Sequence, residues 1–276
     1  MDKRDPGFLN ARVPNFARVM NYLDGGKDNF AVDRVMGDEL LRIAPEVPTV
    51  VAESRKFVSR AVTFLAEAGV RQFVDVGCGL PTHGSVHEIL HDLGVNARVV
   101  YVDEDPVVVA HGKAIVATRG EAVTDDCPVT RVVQADPHDP DAMLDHPELT
   151  SVIDLRRPTA ILLRALLAVF DDDTAARVAE RLVARLSPGG YLLLGHAFRD
   201  PFEEKADEMS RHFNQGPLME GDRRHVRSLA HVARFLDGLD VVPPGLTPLP
   251  AWRPRFGEPS VDPETFWVAG AVGRKP

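Results

Sequence analysis

Cysteine is almost missing from this 276-residue chain. Cys78 and Cys127 are its two, too few for a disulfide framework, and no run of His, Cys, Asp or Glu has metal-ligand spacing, so no metal is expected. A basic excess is missing as well. The chain has 32 Lys and Arg against 41 Asp and Glu, a formal charge of −9. That argues against a partner held by its phosphate backbone, because there is little surplus cation to release counterions, although a small local basic site stays compatible. No uninterrupted apolar run reaches membrane length, and Met1-Asp2-Lys3-Arg4-Asp5-Pro6 has no apolar signal core. Neither a nucleic acid nor a membrane is expected as a partner, and cytoplasm is the expected compartment. Internal repeats and low-complexity tracts are absent too. What remains is ordinary for a soluble globular chain, 44% apolar and 26% charged, and long enough for one large domain or a domain with a cap.

The stretch that organises the rest is Phe73-Val74-Asp75-Val76-Gly77-Cys78-Gly79-Leu80-Pro81-Thr82. A β-branched and aromatic run reads as a buried strand and breaks at Gly77 and Gly79. Beyond it Val86, Ile89, Leu90 and Leu93 fall at helical spacing. Strand, glycine turn and helix in that order bring free helix N–H groups and close backbone to a nucleotide-like ligand. As a bare turn the glycine pair is structural about as often as functional, so its weight comes from the markers that end the later strands.

Before this stretch, helices are expected over residues 15–23, 32–43 and 50–68, separated by Gly25-Gly26 and by Pro45 and Pro48, with Gly69 ending the third. Residues 1–60 read as a helical N-terminal cap over the mouth of a domain spanning 61–276, both parts of one unit. From Val70 onward strands alternate with helices. Strands are expected at 72–76, 98–102, 130–134, 160–163 and 191–195, with helices at 106–118 and 171–186. Such alternation gives a parallel sheet with right-handed crossovers. Two late strands, starting at Asp240 and Thr265, extend it across a proline-rich loop. The expected fold is α/β, a Rossmann-like doubly wound, mostly parallel sheet of seven strands.

Three strand ends carry a marker: Gly77 with Gly79, then Asp103, then Asp136. In a doubly wound sheet these meet at the carboxyl edge. Each alone reads more simply as a turn or cap residue; the ordered set is what points to a ligand. A dinucleotide fingerprint wants a small third residue, where this chain has Thr82 after Pro81. S-adenosylmethionine has no pyrophosphate and needs an amino-acid grip, a ribose acceptor and an adenine contact. Asp75 suits its ammonium, Asp103 both ribose hydroxyls and Asp136 the adenine amine, and an acidic edge attracts a sulfonium. An NAD(P)-dependent oxidoreductase stays open as an alternative, disfavoured by Thr82 and by the lack of a Ser/Tyr/Lys catalytic set. A protein that binds the cofactor without methyl transfer also stays open, since no convincing general base is present.

Phe73–Thr82, the acidic turn after Tyr101-Val102, Gln134-Ala135-Asp136 and Leu186-Ser187-Pro188-Gly189-Gly190-Tyr191-Leu192-Leu193 resemble successive motifs of class I S-adenosylmethionine-dependent methyltransferases. More narrowly, Asn15-Phe16-Ala17-Arg18-Val19 and Gly25-Gly26-Lys27-Asp28-Asn29-Phe30, with Gly77–Thr82, resemble the actinobacterial S-adenosyl methyltransferase family once described as a domain of unknown function. The likeness covers nearly the whole chain; Cys78 departs from it where threonine is usual. It implies the fold and S-adenosylmethionine as cofactor, with S-adenosylhomocysteine as product, but no particular acceptor.

The cofactor candidates are Asp75, Gly77, Gly79, Thr82, Asp103, Glu104, Asp136 and Pro137. Arg55 and Arg60 join them from the third helix, where related enzymes place an arginine on the methionine carboxylate, and Tyr22 and Asn29 flank the double-glycine turn. Each of the four has a plainer reading as a solvated or turn residue. Arg164, at the end of the fourth strand, is the candidate for an anionic acceptor. His196, after the fifth, is the candidate base. Cys78 reads as a small turn residue, and Arg223, Arg224 and Arg227 as surface. The expected partner is a small or medium-sized methyl acceptor; monomer and homodimer are both open.

Overall fold

The computed structural model describes residues 11–81, 84–116, 128–215, 225–258 and 261–276. Three helices come first: α1 (Phe16–Leu23), α2 (Ala31–Ile43) and α3 (Val47–Glu67). They lead into β1 (Gln72–Val76), α4 (Val86–Asp92), β2 (Arg98–Asp103), α5 (Pro106–Val116), β3 (Val129–Gln134), β4 (Ala160–Arg164) and β5 (Tyr191–Ala197). A helix, Asp172–Arg185, crosses between β4 and β5 and another, Glu203–Gln215, comes after β5. The chain closes with β6 (Asp240–Val241), β7 (Thr247–Pro248) and β8 (Val268–Arg274).

The sheet order is β3-β2-β1-β4-β5-β8-β6. The first five strands are parallel, β8 returns antiparallel to β5, and β6 and β7 both pair antiparallel with β8. The sequence pattern gives seven strands; the eighth is the two-residue β7 inside the proline-rich loop, too short to show a period. Strand alternation divides the core. Phe73, Val99, Leu162 and Leu193 pack with α3 and α4 on one face. Val74, Val100, Ile161 and Leu192 pack with Val178, Leu182 and their neighbours on the other. The burial of both faces explains the continuous apolar runs in the central strands.

The N-terminal segment is seated by a polar network. Asp33, fully buried, accepts hydrogen bonds from the Arg18 Nε at 2.8 Å and the backbone N–H groups of Asn15 and Phe30 at 2.9 and 2.7 Å. The double-glycine turn wraps Asn21, whose side-chain oxygen accepts from Asp28 N–H at 2.9 Å and from Asn29 Nδ2 at 3.1 Å. A Cβ on Gly26 would lie 2.4 Å from that side chain, so only glycine fits. Pro48 does not interrupt α3 as the pattern suggests. It occupies the first turn, where its missing N–H costs nothing. The boundary expected at 60/61 falls inside α3, whose Ala61, Val62 and Leu65 belong to the same core as the sheet.

Candidate functional site

The glycine turn is anchored to the second strand. Gly77 and Cys78 donate their N–H groups to Val102 O at 2.8 and 3.2 Å. Both Gly77 and Gly79 have φ of +67°, a conformation that glycine adopts freely and other residues rarely do. Gly79 N–H then donates to Asp103 Oδ2 at 2.9 Å, while Asp105 N–H donates to Asp103 Oδ1 at 3.0 Å. Burial pushes the Asp103 carboxyl above its ordinary range, and these two N–H groups pull it back. The Cys78 thiol, a weak donor, also reaches Oδ2 at 3.9 Å, while Oδ1 keeps a further lone pair.

Beneath the turn, on the α3–α4 face, a cleft open to solvent holds about 640 Å³ of free space. Its polar lining includes Arg55, Asp75, Ser85, His87, Tyr101 and Arg164, and its apolar walls come from Val58, Leu80, Val86, Val108, Ile115 and Val132. Asp75 is 1% exposed and paired with Arg164, whose Nε and Nη2 donate to its two oxygens at 3.2 and 2.7 Å. The same Nη2 donates to Cys78 O at 3.2 Å, bracing the turn from below. Burial raises the Asp75 carboxyl, with the guanidinium opposing it. Burial also pushes the Cys78 thiol well up, so it is not a nucleophile near neutral pH. Tyr101 contacts the start of α4: its hydroxyl accepts the His87 N–H at 3.1 Å and shares a hydrogen bond with His87 Nδ1 at 2.8 Å. Tyr101 was legible on alternation alone, two residues before Asp103 on the same strand face; His87 had no such marker.

The other candidates are placed differently. Arg55 lines the cleft and is ion-paired with Asp24. Arg60 sits five residues further along α3 and so faces away. It is buried, donating to the carbonyls of Trp252 and Leu249 at 2.8 and 2.7 Å and to Glu258 at 2.7 Å. It pins the C-terminal segment and does not line the cleft. Tyr22 and Asn29 do not line it either: Tyr22 donates to Asp38 at 2.7 Å, and Asn29 donates to Gly26 O at 3.0 Å within its own turn. Arg164 lines the cleft with its side chain 34% exposed and is held to Asp75 through Nε and Nη2. His196 is sealed in the interior at 0% exposure, its Nε2 accepting from Arg227 Nη1 at 3.2 Å and its Nδ1–H directed to Ala197 O. Burial pushes it down to about 4, and it does not reach the cleft. Arg227, expected at the surface, is buried and donates to Asp172, Leu167 O and Phe170 O.

Asp136 and Glu104 are exposed at the ends of β3 and β2; Asp136 accepts from the N–H of His138 at 2.8 Å, while Pro137 is buried. Contrary to the expectation from spacing, Glu104, Asp136 and His138 bring three potential ligand atoms within 4.8 Å of one another. All three are solvated, and no metal is assigned to them. Thr82, Cys127, Arg223 and Arg224 lie outside the described residues. Among the described residues no helix is long and apolar enough to cross a membrane.

The residues present suit S-adenosylmethionine. A Cβ built on Gly79 meets no atom within 4 Å although Gly79 lines the cleft, so the turn leaves room that a side chain would fill. Beside it lies the Asp103 carboxylate, whose Oδ1 accepts only the Asp105 N–H among the described residues. A parallel 3-2-1-4-5 sheet closed by antiparallel strands, with a glycine turn after β1 and a carboxylate after β2, defines a Rossmann-like methyltransferase of class I. The chain belongs to the S-adenosyl methyltransferase family, whose model matches residues 2–276. It is 33% identical to a DUF574 family protein from Streptomyces avermitilis, covering 98% of this chain and 100% of that one with a TM-score of 0.87. A putative methyltransferase from Thermobifida fusca is 35% identical, covering 98% and 97% with a TM-score of 0.85. The magnesium protoporphyrin IX methyltransferase of Synechocystis, solved with bound S-adenosylhomocysteine, shares the fold at 12% identity, covering 94% and 93% with a TM-score of 0.54. No curated protein matches the chain. The protein is an S-adenosylmethionine-dependent methyltransferase and S-adenosylmethionine is its cofactor, which answers the oxidoreductase alternative.

Proposed function

We propose that this enzyme methylates a small or medium-sized acceptor in the cytoplasm, with Asp103 and the glycine turn holding the cofactor's ribose. One observation carries the cofactor assignment: Asp103 and Gly79 are hydrogen-bonded at 2.9 Å, so ribose acceptor and turn form a single preset unit. When bound, S-adenosylmethionine supplies an activated methyl group on a sulfonium. Arg55, half-exposed beside Asp24, offers a cation to the methionine carboxylate at the cleft wall. The Asp75–Arg164 pair keeps a carboxylate beneath the turn, and the lone pairs Arg164 leaves free accept from the ammonium. Asp136, exposed at the end of β3, offers an acceptor to the adenine amine. The chain's part in the reaction is mainly to orient two partners and exclude water.

The cleft has mainly apolar walls with a few polar groups among them, the make-up of small-molecule sites. The −9 charge supports a small molecule over a nucleic acid. Cell extract incubated with methyl-labelled cofactor and the enzyme, then split by ultrafiltration, tests this. Label in the small-molecule fraction is expected; label confined to macromolecules overturns the acceptor class. For the ribose contact, Asp103→Asn should weaken S-adenosylhomocysteine binding about tenfold or more, the loss of one charged hydrogen bond. Because Asp103 accepts from both Gly79 and Asp105, the asparagine amide must also face one of two N–H donors. A small drop in melting temperature is therefore expected alongside, and unchanged affinity would remove Asp103 from the ribose.

A further inference from the structure

The acidic turn after β2 is held from outside the α/β core. Asn15, the N-cap of α1, accepts from Arg18 N–H through its side-chain oxygen at 3.2 Å. Its amide nitrogen points the other way and donates to Asp105 Oδ2 at 2.6 Å. The other oxygen of Asp105 accepts from Val107 N–H at 2.8 Å, in the first turn of α5. The backbone N–H of the same residue donates to Asp103 Oδ1, and Asp103 Oδ2 accepts from Gly79. Four residues from three places in the sequence thus form one chain of hydrogen bonds, Asn15 to Asp105 to Asp103 to Gly79. Its members are part-buried, where such bonds are stronger than in water and polarise one another.

Capping α1 needs only an acceptor, which serine, threonine or aspartate supplies as well. The cap role leaves the amide of Asn15 unexplained, and it is the amide that reaches Asp105. The backbone of Asn15 is separately fixed by Asp33, so the donor approaches Asp105 from a rigid base.

We infer that Asn15 is a positioning residue for cofactor binding: it fixes Asp105, which in turn orients the Asp103 carboxylate towards the ribose. The N-terminal segment is then coupled to cofactor affinity without touching the cofactor. This rests on the proposed ribose role of Asp103. By reciprocity, cofactor binding must tighten the seating of α1 to the same degree.

Titration calorimetry with S-adenosylhomocysteine tests this on four full-length variants, alongside apo melting temperatures. Asn15→Ser keeps the cap and removes the donor. Asn15→Asp keeps the cap and sets a carboxylate against Asp105. Asn15→Asp combined with Asp105→Asn exchanges donor and acceptor and restores the bond, since an asparagine at 105 still accepts from Val107 N–H. Asp103→Asn is the fourth. Both Asn15 single variants should bind roughly tenfold more weakly, a coupling of ordinary size between neighbours in one network. The exchanged pair should return to within about twofold of wild type, less than 0.5 kcal/mol. A merely structural bond predicts a lower melting temperature with unchanged affinity in the folded protein, and that result for Asn15→Ser overturns the inference. Failure of the exchanged pair to recover, once folded, does the same. If Asn15→Asp does not fold, Asn15→Ser and the exchanged pair decide. Normal affinity in Asp103→Asn would remove the ribose role itself. Weakened binding there with normal binding in Asn15→Ser would remove only the positioning role. Hydrogen exchange gives a second readout: S-adenosylhomocysteine should slow exchange of α1 amides in wild type and not in Asn15→Ser.

Discussion

Arg164 donates to both oxygens of Asp75, Nη2 to Oδ2 at 2.7 Å and Nε to Oδ1 at 3.2 Å, where β4 lies beside β1 under the glycine turn. The two residues are 89 positions apart in sequence, and neither suits its place alone. A carboxylate at 1% exposure is costly without a counter-charge. Because the Arg164 side chain is 34% exposed at the cleft, Arg164→Met should destabilise the protein by less than the ~3–5 kcal/mol of a fully buried pair and by more than the ~1 kcal/mol of an exposed one. Removing both charges, Asp75→Leu with Arg164→Met, should recover much of that loss, because it also removes the desolvation cost. Urea unfolding of the three proteins checks this. A single variant losing less than about 1 kcal/mol, the value of an exposed pair, would show that Asp75 finds water or protonates cheaply.

His196 gives the fold a pH-dependent contribution without taking part in the chemistry. Burial holds it at about 4 in the folded protein, against an ordinary value of 6.5. The unfolded chain therefore binds a proton that the folded one refuses. Stability is fully present above pH 6.5 and falls as pH drops from 6.5 to about 4, in total by roughly 3 kcal/mol for this one group. His196→Gln keeps an acceptor for Arg227 and removes the titration. Between pH 7.5 and 5 the variant should lose less stability than wild type in denaturant titrations, with homocysteine-product affinity at pH 7.5 within about twofold, under 0.5 kcal/mol. A large loss of affinity would put His196 back in the site.

Much of the frame was legible because it rests on local pattern. β1 lies at Gln72–Val76 as the apolar run indicates, and β2 to β5 begin within one residue of where alternation puts them. Gly77, Gly79 and Asp103 were legible for the same reason: each marks the end of a strand. Pairing was not legible. Asp75 with Arg164, His196 with Arg227 and Arg60 with the 249–258 segment join residues 89, 31 and 189 or more positions apart. Sheet register and helix phase, not spacing, decide those meetings. The last two took His196 and Arg60 into protein partners away from the cleft, while the first holds Asp75 and Arg164 together at its wall.

Arg60 offers a test of that distinction on α3. It is buried and gives three hydrogen bonds to the segment that carries Trp252 and Glu258. Trp252, itself fully buried, packs edge-on against Phe57 at 5.3 Å. Arg60→Met leaves the Trp252 carbonyl without the Arg60 donor, at about 1–3 kcal/mol for a buried group left unpaired, while the Leu249 carbonyl keeps the Trp252 N–H at 3.1 Å. The expected outcome is a clearly lower urea midpoint with homocysteine-product affinity unchanged in the folded protein. Arg55→Met should do the reverse, weakening binding with a smaller loss of stability, since Arg55 is itself half-exposed at the cleft wall. If Arg60→Met weakens binding more than Arg55→Met does, the two arginines have been assigned the wrong way round.

Gly77 and Gly79 share a φ of +67° but not a neighbourhood, and alanine at each should separate fold from site. Either substitution forces a side chain into the left-handed region, which costs about 1–2 kcal/mol. At Gly77 a Cβ would also lie 2.8 Å from Leu166 Cδ1, so that side chain must shift and Gly77→Ala should be the less stable variant. At Gly79 a Cβ meets nothing within 4 Å, so strain is the only folding cost. That open space adjoins the cleft and the N–H group that Asp103 holds at 2.9 Å. If the cofactor uses it, Gly79→Ala should weaken homocysteine-product binding by tenfold or more, about 1.4 kcal/mol, while melting above Gly77→Ala. Calorimetric titration and thermal melts of the two variants give both quantities. A Gly79→Ala protein that binds like wild type would show that the turn is an architectural bend, and that the cofactor lies against other residues of the cleft.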